Sequence, residues 1–290
     1  MSPQDSMHPA PPTLNTVLRE SAHRLTAVSD SPGLDAELLL CHALQCDRTA
    51  LHLRHRDACA PPAAFEHYLT RRLNHEPVAY ILGNWEFYGL EFFVRPPILI
   101  PRPETELLID LARDFLGAKP REVLEVGTGS GCIAITLARY APQARIYATD
   151  INLAAITLAR ENAAHHGVSL RWIQGNLLEP FPTPTGGLFD LILSNPPYVE
   201  STEWESLAPD IRHFEDVHAL LSGEDGLDCI RKLIGEAPAR LRPGGMLAFE
   251  LGEKQWPSVH DLLWDAGFEQ VDVLQDLAGI PRIAHARKPG

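Results

Sequence analysis

A chain of 290 residues with 45% hydrophobic content can bury a full core and hold one large domain beside a smaller one. Its formal net charge of -13 argues against an extended contact with a phosphate backbone, which needs clustered Lys and Arg, so no direct nucleic-acid binding is expected. Five cysteines, odd in number and without CxxC spacing, argue against a disulfide framework or a zinc ribbon, and no apolar run approaches the roughly 20 residues of a membrane span, so a cytoplasmic protein with reduced thiols is expected, with a monomer as the default that nothing in the sequence decides.

Residues 1–12 carry Pro3, Pro9, Pro11 and Pro12 and little apolar content, and read as a flexible leader. From Leu14 the apolar positions Leu14, Val17, Leu18, Ala22 and Leu25 recur at helical spacing, and residues 35–44 and 65–73 repeat the pattern, which predicts a helical domain over 13–76. Its His23, His42, His52, His55 and His67 lack paired ligand spacing with carboxylates, so they read as surface residues and no metal site is assigned. Over 77–104 the character changes. Tyr80, Ile81, Trp85, Phe87, Tyr88, Phe92, Phe93 and Val94 are aromatic or β-branched, with turn signals at Gly83-Asn84 and Tyr88-Gly89-Leu90, which predicts a β-hairpin linker starting near Val78. Pro96, Pro97, Pro101 and Pro103 then force an extended path before a helix over 104–116.

A third segment, 105–290, alternates short apolar runs with amphipathic stretches. Strands are expected at 122–126, 145–149, 170–174, 189–194, 246–250, 269–274 and 282–286, and helices at 131–140, 153–166, 226–241 and 257–266. That alternation implies a mostly parallel seven-stranded sheet covered on both faces, of Rossmann-like α/β class. The last two strands are joined by too short a loop for a helical crossover and are expected to pair antiparallel.

Two motifs carry chemistry. The run Phe189-Asp190-Leu191-Ile192-Leu193-Ser194 reads as a buried strand that Pro196 and Pro197 stop, leaving Asn195 at its carboxyl end, where open α/β sheets place ligands. Prolines lack N–H donors, so Asn195 and the neighbouring carbonyls form an acceptor-rich edge beside Tyr198. Such an edge suits a planar NH2 group, whose two hydrogens could go to the Asn195 side-chain oxygen and the Pro196 carbonyl. Upstream, Gly127-Thr128-Gly129-Ser130-Gly131 follows the acid Glu125 between the first strand and first helix of the alternating region, where glycines allow close backbone approach to a ligand. The spacing is GxGxG and not the GxGxxG of a pyrophosphate loop. Asp150 ends the second strand, where a carboxylate can take both ribose hydroxyls, and Asn176 and Leu177 follow the third, beside an adenine. Together these describe an adenosine pocket without a pyrophosphate clamp, which fits S-adenosylmethionine better than NAD.

With those residues in place the chain resembles the class I S-adenosylmethionine-dependent methyltransferases. Within them, Ile100-Pro-Arg-Pro-Glu-Thr-Glu106, Glu76-Pro-Val-Ala-Tyr80, Trp85-Glu-Phe-Tyr-Gly-Leu90, Gly223-Glu-Asp-Gly226 and Asp276-Leu-Ala-Gly279 with Arg282 are similar to the N5-glutamine methyltransferases of peptide chain release factors. The resemblance implies a helical domain that holds the release factor. It also implies methylation of the glutamine in that factor's Gly-Gly-Gln motif, with Asn195, Pro196 and Tyr198 catalytic and Asn195, Pro196, Pro197 and Tyr198 on the substrate. Gly127, Thr128, Gly129, Ser130, Gly131, Asp150, Asn176, Leu177 and Asn195 would hold the cofactor. Two positions depart from the family pattern: Asn176-Leu177 stands where an acid and a bulky aromatic are usual, and Asp216 where proline often stands.

Three rival readings remain at this stage. A sister family with the same Asn-Pro-Pro-Tyr motif methylates a ribosomal protein but typically lacks the Arg-Pro-Glu-Thr-Glu linker. Adenine-N6 and cytosine-N4 methyltransferases use a similar motif on an exocyclic amine, against which the acidic balance weighs. A non-catalytic binding module that keeps the fold is the third, and the intact motif argues against it.

Overall fold

The computed structural model describes residues 11–290, so most of the 1–12 leader lies outside the described residues. By its contacts the chain divides into a helical unit ending at Gly83 and an α/β unit starting at Asn84.

In the helical unit, α1 (Leu14–Leu25), α2 (Pro32–Leu44), α3 (Arg48–Leu53), α4 (Ala63–Leu73) and α5 (Val78–Leu82) surround Leu14, Leu25, Leu39, Leu40, Leu51, Phe65 and Leu69, all buried. Thr13 caps α1 by accepting the Thr16 N–H at 3.2 Å, and Asp47 caps α3 by accepting that of Ala50 at 2.7 Å, each satisfying a donor that has no intrahelical partner. Buried Arg72 donates to Asp35 and to the Val28 carbonyl, both at 2.8 Å, so its charge is paired and hydrogen-bonded where water cannot serve it. Residues 78–82 correct the expected start of the hairpin. Their β-branched and aromatic composition suits a strand, yet Pro77 at the N-cap and left-handed Gly83 (φ 78°) at the C-cap bracket one helical turn.

The hairpin itself is β1 (Asn84–Phe87) and β2 (Leu90–Phe93), and its two turn residues, Tyr88 and Gly89, both have positive φ, the geometry that matches strand twist in a two-residue loop. A 3-10 turn at Pro103–Thr105 leads into α6 (Glu106–Leu116), and then β3 (Glu122–Val126), α7 (Cys132–Tyr140), β4 (Arg145–Asp150), α8 (Leu153–His165), β5 (Arg171–Gln174) and β6 (Phe189–Ser194) follow. The short α9 (Pro209–Phe214), which groups with the helical unit, precedes α10 (Asp228–Arg240), β7 (Leu241–Glu250), α11 (Trp256–Asp265), β8 (Glu269–Gln275) and β9 (Pro281–Arg287).

The seven strands run in the order β5-β4-β3-β6-β7-β9-β8, parallel except that β9 is antiparallel to both neighbours. Alternate residues feed two cores, as the pleat requires. Val123, Leu191, Leu193, Met246 and Ala248 pack with α6 and α7, whereas Leu124, Ile192, Leu247 and Phe249 pack with α10 and α11. Asp190, the single acid in the β6 run, accepts the Glu122 N–H at 2.8 Å and the Arg242 guanidinium at 2.7 Å, so it closes the lower edge of the sheet. Strand β7 begins at Leu241, five residues before its expected start at Met246, because a register shift lets the Arg242-Pro243-Gly244-Gly245 segment join the strand. Chain order reverses beside β3, which lies between β4 and β6, and a crevice at the carboxyl ends of the strands is the expected consequence.

Candidate active site

On the β4 side of the switch point, the chain leaves β3 through Gly127, Gly129 and Gly131, all at positive φ. Gly127 and Thr128 both donate to the Thr149 carbonyl at 2.9 Å, and Gly129 donates to Asp150 Oδ2 at 2.9 Å, so the loop is pinned to the end of β4. The three glycines do different work. A Cβ on Gly129 would meet only the Ile98 Cγ2 methyl at 3.9 Å, whereas one on Gly131 would strike Ala159 Cβ and Ile135 Cδ1 at 2.9 Å, so Gly131 is needed for helix packing and Gly129 opens onto space. Glu125 beneath the loop accepts the Thr128 hydroxyl at 2.6 Å and the Ala134 N–H at 3.1 Å. Burial pushes its carboxyl up to about 8 against those donors, and among the described residues Oε1 finds no hydrogen-bond partner.

Asp150 also accepts the Asn152 N–H on Oδ1 at 2.8 Å, leaving a free lone pair on each oxygen. Burial raises its carboxyl, the N–H groups of Gly129 and Asn152 oppose that, and Asp216 adds to the rise. At the end of β5 the Gly175 N–H meets the Asp150 carbonyl at 3.0 Å, which sets Asn176 and Leu177 next to the Asp150 turn. Asn176 donates to Glu179 at 2.8 Å, and Leu177 takes a left-handed conformation, φ 45°, with its side chain against the core.

On the other side of the switch point, Ser194 donates to the Val126 carbonyl at 2.8 Å and ties the end of β6 to that of β3. A Cβ on Gly127 would lie 3.9 Å from the Asn195 carbonyl, so the glycine loop and the Asn-Pro-Pro-Tyr segment face one another. Behind Asn195 stands a polar chain. Asn195 Nδ2 donates to Thr105 Oγ1 at 3.2 Å, Thr105 donates to Glu250 Oε2 at 2.6 Å, and the Tyr198 hydroxyl donates to Glu250 Oε1 at 3.0 Å. Burial, then the Glu250 charge, drives the Tyr198 phenol far above its ordinary range, so it serves as a donor and not as a base.

The segment after Tyr198 is clamped from several directions. Gln255 donates to the Tyr198 carbonyl at 2.9 Å, and Val199 pairs with residues 220–222 through bonds of 2.8 and 3.0 Å. Arg102 grips buried Glu215 with both oxygens at 2.7 Å. Next to it the Asp216 N–H donates to the Pro97 carbonyl at 2.8 Å, a bond that a proline at this position could not make. The Asp216 side chain caps the turn at Val217–Ala219 by accepting the His218 N–H at 3.0 Å. Asn162, fully buried on α8, accepts the Phe93 N–H at 2.7 Å and donates to the Phe93 and Ser130 carbonyls at 3.0 and 2.8 Å, joining hairpin to glycine loop.

All the residues expected to act on cofactor or substrate therefore stand at the carboxyl edge of β3, β4, β5 and β6. Thr105, Gln255 and Asn162 were not among them. Thr105 lies in the Pro101-Arg-Pro-Glu-Thr-Glu106 text that carried the resemblance, and Glu250 is the last residue of β7, where it accepts from both Thr105 and Tyr198.

Residues 16–83 match the PrmC N-terminal domain and residues 104–211 the methyltransferase small domain. A release factor glutamine methyltransferase of Koribacter versatilis is 40% identical over 270 residues, which is 92% of this chain and 95% of that one. Another, from Cereibacter sphaeroides, is 43% identical over 275 residues, covering 94% and 97% of the two chains. The crystal structure of a methyltransferase from Pyrococcus furiosus covers 78% of this chain and 100% of its own with a TM-score of 0.54 at 21% identity, a likeness of fold.

Proposed function

The chain belongs to the release factor glutamine methyltransferases, and we propose that it transfers a methyl group from S-adenosylmethionine to the side-chain amide nitrogen of the glutamine in a release factor's Gly-Gly-Gln motif. The observation that carries this reading is the meeting of two features across one switch point: a glycine loop closed by Asp150 and an acceptor edge built from Asn195 and Pro196.

The residues present fit the cofactor. Gly129 leaves open the space a side chain would fill, Asp150 keeps one lone pair per oxygen for a pair of ribose hydroxyls, and no pyrophosphate loop competes. Leu177 would offer adenine an apolar surface without ring stacking. S-adenosylmethionine supplies an electrophilic methyl group carried on a sulfonium. The rest of the task falls to the chain, because a glutamine nitrogen shares its lone pair with the carbonyl and is a poor nucleophile. Positioning is the remedy. Asn195 Oδ1 and the Pro196 carbonyl accept the two amide hydrogens, which fixes the nitrogen and favours the pyramidal geometry it takes as the new bond forms. Tyr198 covers the amide plane, its ring held by the bond to Glu250. No base is needed before transfer, since the amide nitrogen becomes strongly acidic only after it has gained the methyl group and can then lose a proton to water.

The direct test incubates the purified protein and S-adenosylmethionine with a release factor, the same factor with its motif glutamine changed to alanine, a large-subunit ribosomal protein, and DNA. Methyl is expected on the unaltered factor alone, at the glutamine. The intact factor should also be used at lower concentration than a Gly-Gly-Gln peptide, because the helical unit would supply most of the protein contact. Label on the ribosomal protein or the DNA in place of the factor would overturn the assignment.

Cofactor binding has its own check. Gly129→Val fills the open space and places a β-branched residue at φ 55°, while Asp150→Ala removes both the ribose acceptor and the anchor of the Gly129 N–H. Each should weaken S-adenosylmethionine binding by about tenfold or more, Asp150→Ala through the loss of hydrogen bonds to a charged group and Gly129→Val through occupation of the cofactor's space. Unchanged affinity of both folded variants by calorimetry would remove the pocket assignment.

A further inference from the structure

The polar chain behind Asn195 has a direction, and the direction matters. A threonine hydroxyl carries one proton and two lone pairs. Thr105 spends its proton on Glu250 Oε2 at 2.6 Å, while the other carboxylate oxygen is taken by the Tyr198 hydroxyl at 3.0 Å. Only lone pairs are left on Thr105 for Asn195, so the asparagine must offer its NH2 there, as it does at 3.2 Å. Its Oδ1 is thereby turned away from Thr105. A flipped amide would set Oδ1 against a lone pair and present NH2 to the substrate, where hydrogen meets hydrogen.

We propose that Glu250, acting through Thr105, is the positioning residue that holds the Asn195 amide with its oxygen toward the substrate, and so makes the site an acceptor of NH2. This rests on the amide clamp proposed above and adds to it the residues that set its polarity. Neither Glu250 nor Thr105 touches the reacting atoms in this scheme. Glu250 suits the part because it is buried and receives two donors, which leaves it acceptor-only while ionised. Thr105 is likewise buried, so water cannot supply a substitute proton.

The arrangement makes a pH prediction with a definite sign. Burial raises the Glu250 carboxyl above the ordinary range; Thr105 and Tyr198 oppose that by hydrogen bonding, Glu104 adds to the rise, and Arg282 opposes it. Those are the charged and titratable groups facing it, with Arg102 acting on Tyr198 from the linker. Once protonated, Glu250 can donate to Thr105, which can then donate to Asn195 Oδ1, and the amide turns over. Methyl transfer should therefore be full above the raised value and fall as pH drops through it, at a pH higher than an ordinary glutamate would give.

The test is single-turnover transfer to an intact release factor at saturating S-adenosylmethionine. Glu250→Gln and Thr105→Val should each lower the transfer rate about tenfold or more, with cofactor affinity and the KM for the factor little changed, by analogy with loss of a preorganised polar contact. Thr105→Ser, which keeps the hydroxyl, should restore most of the rate. Glu250→Gln should also lose the acidic limb, and the double variant Thr105→Val with Glu250→Gln should be no slower than the slower single, because both break one relay. The relay is wrong if Thr105→Ser is as slow as Thr105→Val, if the two single losses multiply, or if the acidic limb survives in Glu250→Gln. Should Glu250→Gln fail to fold, the Thr105 pair decides alone. Asn195→Ala separates the layers: if it is slow while the relay variants are fast, only the relay fails, and if it too is fast, the clamp fails.

Discussion

Gly226→Ala should cut methyl transfer on the order of a hundredfold while leaving S-adenosylmethionine affinity almost unchanged, although residue 226 touches neither ligand in the proposed scheme. Gly226 sits at φ 71°, and a Cβ there would lie 2.2 Å from the Tyr198 carbonyl oxygen and 2.5 Å from Gln255 Nε2. Neither neighbour can yield freely. The carbonyl is backbone, and Gln255 is held at both ends, donating to Tyr198 and accepting the Gly252 N–H at 2.9 Å each. Relief must come from moving the chain at Tyr198, which drags its phenol from Glu250 and tilts the acceptor edge at Asn195 and Pro196. Misplacement by about 1 Å is enough for a loss of that size. The glycine loop and Asp150 make none of these contacts, so cofactor binding should persist. Gly235→Ala on α10 is the control, since a Cβ there meets nothing within 4 Å and alanine is the better helix former. Equal transfer rates for Gly226→Ala and the unaltered protein, measured on intact release factor, would show that packing against Tyr198 does not set the site.

Strands β3 and β6 span the residues their apolar runs predict, 122–126 and 189–194, because both are buried on two faces and bounded by glycine or proline. Their carboxyl ends followed, and with them the glycine loop, Asp150 and Asn195. Helix α5 was hidden because five residues are too few for a periodicity, and Val78, Tyr80 and Ile81 favour a strand taken alone. The relay was hidden for a different reason. Thr105 stands 90 residues from Asn195 and 145 from Glu250, so no local pattern can report that their side chains meet. What the text did contain was the pair of glycines Gly223 and Gly226: the first takes a left-handed conformation, φ 85°, that favours glycine, and a Cβ on the second would lie 2.2 Å from the Tyr198 carbonyl oxygen. Asp216 illustrates the converse. Read against a family pattern it is a departure, while in the fold it adds an N–H bond to Pro97 and a cap at His218.

Asn195→Ala should slow transfer by about a hundredfold or more, equivalent to on the order of 3 kcal/mol, with S-adenosylmethionine bound nearly as before. The side-chain oxygen acts on an NH2 whose positive character develops only as the methyl arrives, so its loss weighs on the transition state and little on the ground state. The bond from Asn195 Nδ2 to Thr105 at 3.2 Å strengthens that expectation, because the amide is already oriented before substrate enters and no reorganisation is needed when charge appears. Asn195→Asp tests the same point from the other side. A carboxylate can still accept from the substrate, but its second oxygen would face the lone pairs of Thr105, whose proton is committed to Glu250 at 2.6 Å. The aspartate must then either take a proton or push Thr105 off Glu250, and its negative charge attracts the sulfonium in the ground state as well as in the transition state. Partial activity is expected, with tighter cofactor binding and a second acidic dependence, that of the new carboxylate, added to the one Glu250 sets. Single-turnover transfer on a release factor, at saturating cofactor and substrate, decides the matter: an Asn195→Ala rate equal to that of the unaltered protein would mean that the nitrogen is positioned by something other than this amide.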